Sequence, residues 1–187
     1  MSWFKSLKPQ GPTKLAAEII STANDCAQEM LANLGPRTEK EQHLLWYPML
    51  CEFLFAFLHV TSRLGVSVFG KTDKTTLLLR PLGPFIAEAH VETYLGHWPA
   101  DMKKRIEAEF LQNLNQAQKE YSSCGDIVIE GRPFSRDAII GLLAFKVAEI
   151  TGNSSDVAGL MLPAQIATNA FAKMNLRRLL EDAGKGV

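Results

Sequence analysis

Glu52, His59 and Arg63 are the residues of this chain whose types and spacing could carry chemistry. At ~100° per residue of an α-helix they fall within ~40° of one another. They interrupt an otherwise apolar segment, LLWYPMLCEFLFAFLHVTSRL at 44–64. A carboxylate, an imidazole and a guanidinium on a buried helix must pair or hold something, because unpaired buried charge is costly. The functional readings are a metal site or a polar pocket for a ligand, with the small Ala56 leaving room between Glu52 and His59. The structural reading is a solvent-facing helix edge or an internally satisfied ion network, and that is the expectation.

A carboxylate-bridged metal site would need more. Glu88 and Glu92 share one face of a helix at i and i+4 and could oppose Glu52 and His59. The di-metal bundle pattern, however, calls for a Glu-x-x-His pair on each of two helices. None is present: His43 follows Glu39 by four and Glu41 by two, and His90 follows Glu88 by two. No metal and no cofactor are therefore expected, with Glu52 and His59 as the residues to watch. Cys51 sits in an apolar helical pattern where a thiol is inert, and Cys124 has no histidine near it in sequence. The chain has no Gly-x-Ser-x-Gly, phosphate-binding glycine loop or HExxH. The balance is against an enzyme, although a fold can assemble a site from distant residues.

Two segments read as interface candidates. Tyr94 and Trp98 lie near the end of one helix, where aromatics anchor contacts, with core packing at a chain corner as the plainer alternative. Trp3 and Phe4, alternating with Lys5 and Lys8, form an N-terminal arm over 1–12 that could dock on the body, a second subunit or a membrane surface. Docking on protein is expected, since so short a segment binds membrane weakly without a second signal.

The whole chain bounds these readings. With 187 residues it fits one domain able to bury a real core. Twenty basic and twenty acidic residues give a formal net charge of zero, so no electrostatic reason for a nucleic-acid partner exists. Neutrality also does little to oppose self-association. Three widely spaced cysteines, Cys26, Cys51 and Cys124, suggest neither a disulfide framework nor a zinc site and favour a reducing compartment. The N-terminus does not read as a secretory signal, and the longest apolar run, broken by Pro48, Glu52 and His59, falls short of a membrane span. A cytoplasmic protein without a transmembrane segment is expected.

Apolar periodicity then places the elements. A first helix runs over 13–34, ended by Gly35-Pro36. Thr38 with Glu41 has the form of a capping box for the second, which Pro48 should kink. Pro81 and Pro84 split the third pattern, 74–95, into a short helix and a second from about Phe85. A surface helix follows over 100–121, with Met102, Ile106, Phe110, Leu114 and Ala117 as its apolar stripe. Ser135 caps a fifth, apolar apart from Lys146 and Glu149, and a last helix, bent at Pro163, runs over 155–183. The fold class is all-α: a single-domain bundle of about six helices over 13–183 with a fraying tail at 184–187. The function expected of it is a non-catalytic interaction or self-associating module, its partner another protein or a second copy as in a homodimer. The alternative is a metal- or small-ligand-binding bundle using Glu52 and His59.

Overall fold

The computed structural model describes residues 11–128, 130 and 134–186, and among them the fold is all-α. The expected arm, including Trp3 and Phe4, lies outside the described residues except for Gly11 and Pro12. Helix α1 spans Gly11–Asn33. It buries Leu15, Ile19, Ala23, Cys26 and Met30, an apolar stripe at three- and four-residue steps. Gly35, at φ +79°, takes the left-handed conformation that stops a helix without a Cβ penalty.

Helix α2, Glu39–Phe69, is the axis of the bundle. Thr38 opens it with a complete capping box: the Thr38 hydroxyl accepts from the Glu41 N–H, and the Glu41 carboxylate accepts from the Thr38 N–H at 2.9 Å. The helix then runs through Pro48 without a break. Pro48 is exposed, so the Leu44 carbonyl that its missing N–H leaves free lies on the wet side, where solvent can satisfy it. From Met49 to Thr61 nearly every residue is buried, because α1, α3 (Asp73–Leu79), α5 (Ala100–Ser122), α6 (Ile139–Thr151) and α8 (Leu176–Ala183) all pack around this rod. By length and composition alone α2 is apolar enough to cross a membrane, but 67% of that stretch is buried inside the fold.

Short helix α3 (Asp73–Leu79) and α4 (Leu82–Leu95) follow. Helix α4 starts three residues before the expected Phe85, since Pro84 falls in the first turn, where the missing N–H costs nothing. Helix α5 spans Ala100–Ser122. Its buried stripe is Phe110, Leu114, Ala117 and Tyr121, while Met102 is left exposed. Only the C-terminal half of α5 therefore packs into the core.

Helix α6 (Ile139–Thr151) begins later than expected, and Ser135 does not cap it. The preceding loop does so instead. The N–H groups of Ile139 and Ile140 donate to the carbonyls of Asp126 and Ile127, each at 3.0 Å, alongside an isolated bridge between Asp126 and Ala138. A strap of main chain thus satisfies the first orphan donors of the helix. Helix α7 (Val157–Met174) continues through Pro163, and the chain breaks at Asn175 (φ 46°), giving a separate α8 (Leu176–Ala183). The bundle therefore has eight helices among the described residues, against about six expected. The break not read from the sequence is at Asn175, whose side chain tolerates the left-handed region; the split at the Pro81 corner follows the sequence reading. Residues Gly184–Gly186, expected to fray, form a 3-10 turn.

Candidate functional site

The line of Glu52, His59 and Arg63 faces α5 and α6, but each residue meets a different set of neighbours. Arg63 lies farthest along the helix and is exposed. Its guanidinium donates to the carbonyl of Cys124 (3.0 Å) and to that of Gly125 (2.7 Å). It therefore holds the end of α5 and the start of the strap that caps α6.

One turn back, His59 is buried and its Nδ1 lies 2.7 Å from Gln118 Oε1. Gln118 Nε2 donates to the Phe55 carbonyl at 3.3 Å, which fixes the amide with its oxygen toward the ring. An amide oxygen only accepts, so Nδ1 carries the proton and Nε2 is an acceptor. That Nε2 is buried without a partner. Burial lowers the His59 pKa, the Gln118 hydrogen bond opposes this, and the Arg63 charge adds to the lowering. The ring is thus held neutral.

Glu52 is at the other end. Lys146 of α6 lies 3.8 Å from Glu52 Oε2 but 2.6 Å from Glu120 Oε2 on α5. Lys146 therefore binds Glu120 directly and supplies Glu52 only with a nearby charge. Burial raises the Glu52 pKa; Lys146 pulls it down, while Glu120 and Glu149 push it up further. Glu120 moves the other way, lowered by its hydrogen bonds from Lys146 and Gln116. Between Glu52 and His59 sits Tyr121, fully buried, its ring 5.8 Å from that of His59 and its hydroxyl unpartnered. Burial carries its pKa well above the ordinary tyrosine value.

Glu88 and Glu92 are elsewhere. Both are exposed on α4; Glu92 pairs with Lys103, and the two carboxylates act on Glu107 of α5 rather than on Glu52 or His59. Among the described residues no group of three or more His, Cys, Asp or Glu side chains is placed to hold a metal. Tyr94 packs edge-on against Trp46, with ring centroids 5.2 Å apart, and Trp98 lies half-buried beside His97. A shallow hollow on α5 is lined by Arg105, Ala108, Glu109, Gln112 and Asn113, all exposed and none from the seam.

A second buried polar group was not singled out from sequence. His90 is wholly buried, its Nδ1–H donating to the Ile86 carbonyl at 2.6 Å and its Nε2 accepting from the Tyr47 hydroxyl at 3.1 Å. Burial lowers its pKa to about 4. Gln118, Glu120 and Tyr121 were also missed, while Lys146 stood out as the lone cation of an apolar helix.

Comparison with known proteins gives no match: no family model, curated sequence or solved structure resembles this chain.

Proposed function

We propose that this protein is a non-catalytic helical interaction module that associates with itself, acting in the reducing environment of the cytoplasm. The observation that carries the reading is how the seam side chains are engaged. Arg63 is committed to two carbonyls, His59 Nδ1 to Gln118 and Lys146 to Glu120, so the strongest candidate groups serve to join α2, α5 and α6. Large apolar side chains meanwhile stand in solvent: Leu44, Leu77, Val157 and Met161 are each more than half exposed. Zero net charge leaves no general repulsion between copies. The three cysteines are unpaired, which fits a reducing compartment. Sedimentation of the full chain over a hundredfold concentration range tests the proposal. A mass that rises with concentration supports it, and a monomer throughout overturns it.

A second reading, a small-ligand or metal site at Glu52 and His59, is favoured by the unpartnered Glu52 Oε2 and His59 Nε2. Elemental analysis of protein from its native source, with His59→Ala as control, tests the metal form of it. Stoichiometric metal lost in the variant would support it; none in the native protein would remove it.

A further inference from the structure

We infer that the seam between α2 and α5 is a binding site for water, two ordered molecules joining His59, Tyr121 and Glu52. His59 Nε2, the Tyr121 hydroxyl and Glu52 Oε2 are all buried, and among the described residues none of them has a partner. Tyr121 is wholly buried and His59 is 7% exposed, so bulk solvent does not wet them. Buried polar atoms in folded proteins are paired, with protein or with ordered water.

The chemistry of the three atoms selects the occupant. With its Nδ1–H given to Gln118, His59 only accepts at Nε2, and an ionised Glu52 only accepts as well. The Tyr121 hydroxyl between them both donates and accepts. One water therefore donates to His59 Nε2 and to the Tyr121 oxygen. The other accepts from the Tyr121 O–H and donates to Glu52 Oε2. The span fits this pair. Seven helical rises separate His59 from Glu52, about 10.5 Å, and two water-mediated links of about 5.6 Å each meet at the phenol oxygen. Lys146 Nζ, 3.8 Å from Glu52 Oε2, is too far for a direct hydrogen bond and at a separation that water bridges. An organic ligand touching both ends would have to displace the buried Tyr121 side chain. Among the described residues, no three His, Cys, Asp or Glu side chains converge to hold a metal there. Water in the seam is independent of the self-association reading, and it takes the atoms on which the ligand reading rests.

Oxygen-17 relaxation dispersion of the full chain, which counts internal waters that exchange slowly, tests the site. The count is expected to fall by two in Tyr121→Phe, with the urea midpoint level or lower. A hydroxyl buried without any partner predicts the reverse, since its removal relieves a desolvation cost. An unchanged count with a raised midpoint overturns the inference. So does a small molecule released from the denatured wild type at one per chain and seen by mass spectrometry, a result that would uphold the ligand reading instead.

Discussion

Lys146 lies 2.6 Å from Glu120 but 3.8 Å from Glu52, so the more buried carboxylate has the weaker partner. A carboxylate kept partly from water and imperfectly paired costs stability when ionised. Its raised pKa expresses the same fact. The neutral form suits the fold, so this group's contribution is fully present below its unfolded value near 4.5 and is lost as pH rises through the folded one.

Substitutions at this pair should therefore act in opposite senses. Glu52→Gln is expected to leave urea stability at pH 7 unchanged or raise it. Lys146→Met should lower it by about 1–3 kcal/mol, because Glu120 loses its direct partner and Glu52 its nearby counter-charge. In Lys146→Met the deficit should shrink on acidification as Glu52 takes a proton, and adding Glu52→Gln should recover the part of the loss due to Glu52 but not that due to Glu120.

His90 should set the acid limb of stability. The unfolded imidazole takes its proton near 6.5 and the buried one only near 4. Stability is then complete above about 6.5 and falls as pH drops toward 4, where the unfolded chain binds more protons. At 1.36 kcal/mol per pH unit the span amounts to about 3 kcal/mol. His59 acts in the same direction, so a comparison isolates His90: the urea midpoint of Tyr47→Phe/His90→Phe should vary less between pH 4 and 6.5 than that of the wild type. Equal slopes would refute the assignment.

How the polar line resolved shows what a sequence can and cannot display. Periodicity located α2 and its apolar circumference, because burial leaves a direct mark on residue type. The Thr38–Glu41 box was equally legible, both partners lying within four residues. The wheel angle joining Glu52, His59 and Arg63, by contrast, ignores a separation of about 16 Å along the axis, eleven rises of 1.5 Å. Their true neighbours are Lys146 and Glu120, Gln118, and two carbonyls more than sixty positions away. A main-chain carbonyl is present at every residue, so nothing in the sequence marks it as the acceptor for Arg63. The missing cap of α6 has the same cause: a strap of carbonyls replaced the side chain expected at Ser135.

The thiols should be silent in the native state. Burial pushes Cys26 and Cys51 up to about 12 and also raises Cys124. Little thiolate is then present at pH 8, and the thiolate is the reactive form. Modification by a disulfide reagent is expected to proceed at the rate of opening, accelerating with urea below the global transition. Prompt labelling of three thiols in buffer would show that this packing is absent.

Arg63 should control α6 from a distance. Its two hydrogen bonds hold the Cys124 and Gly125 carbonyls, and the next two carbonyls, of Asp126 and Ile127, receive the N–H groups of Ile139 and Ile140. Releasing the guanidinium frees the strap, and those two donors at the helix start lose their fixed acceptors. Arg63→Ala is expected to cost about 1–2 kcal/mol, since its charge-assisted bond to Cys124 is partly buried and that to Gly125 is exposed. Arg63→Lys should recover only part, because an ammonium lacks the fork of a guanidinium and reaches one carbonyl but not both. Hydrogen exchange separates this account from a general loss of stability. The Ile139 and Ile140 amides should exchange faster in Arg63→Ala by a larger factor than the core amides of α1. A uniform acceleration across both helices would mean that Arg63 stabilises the bundle without acting through the strap.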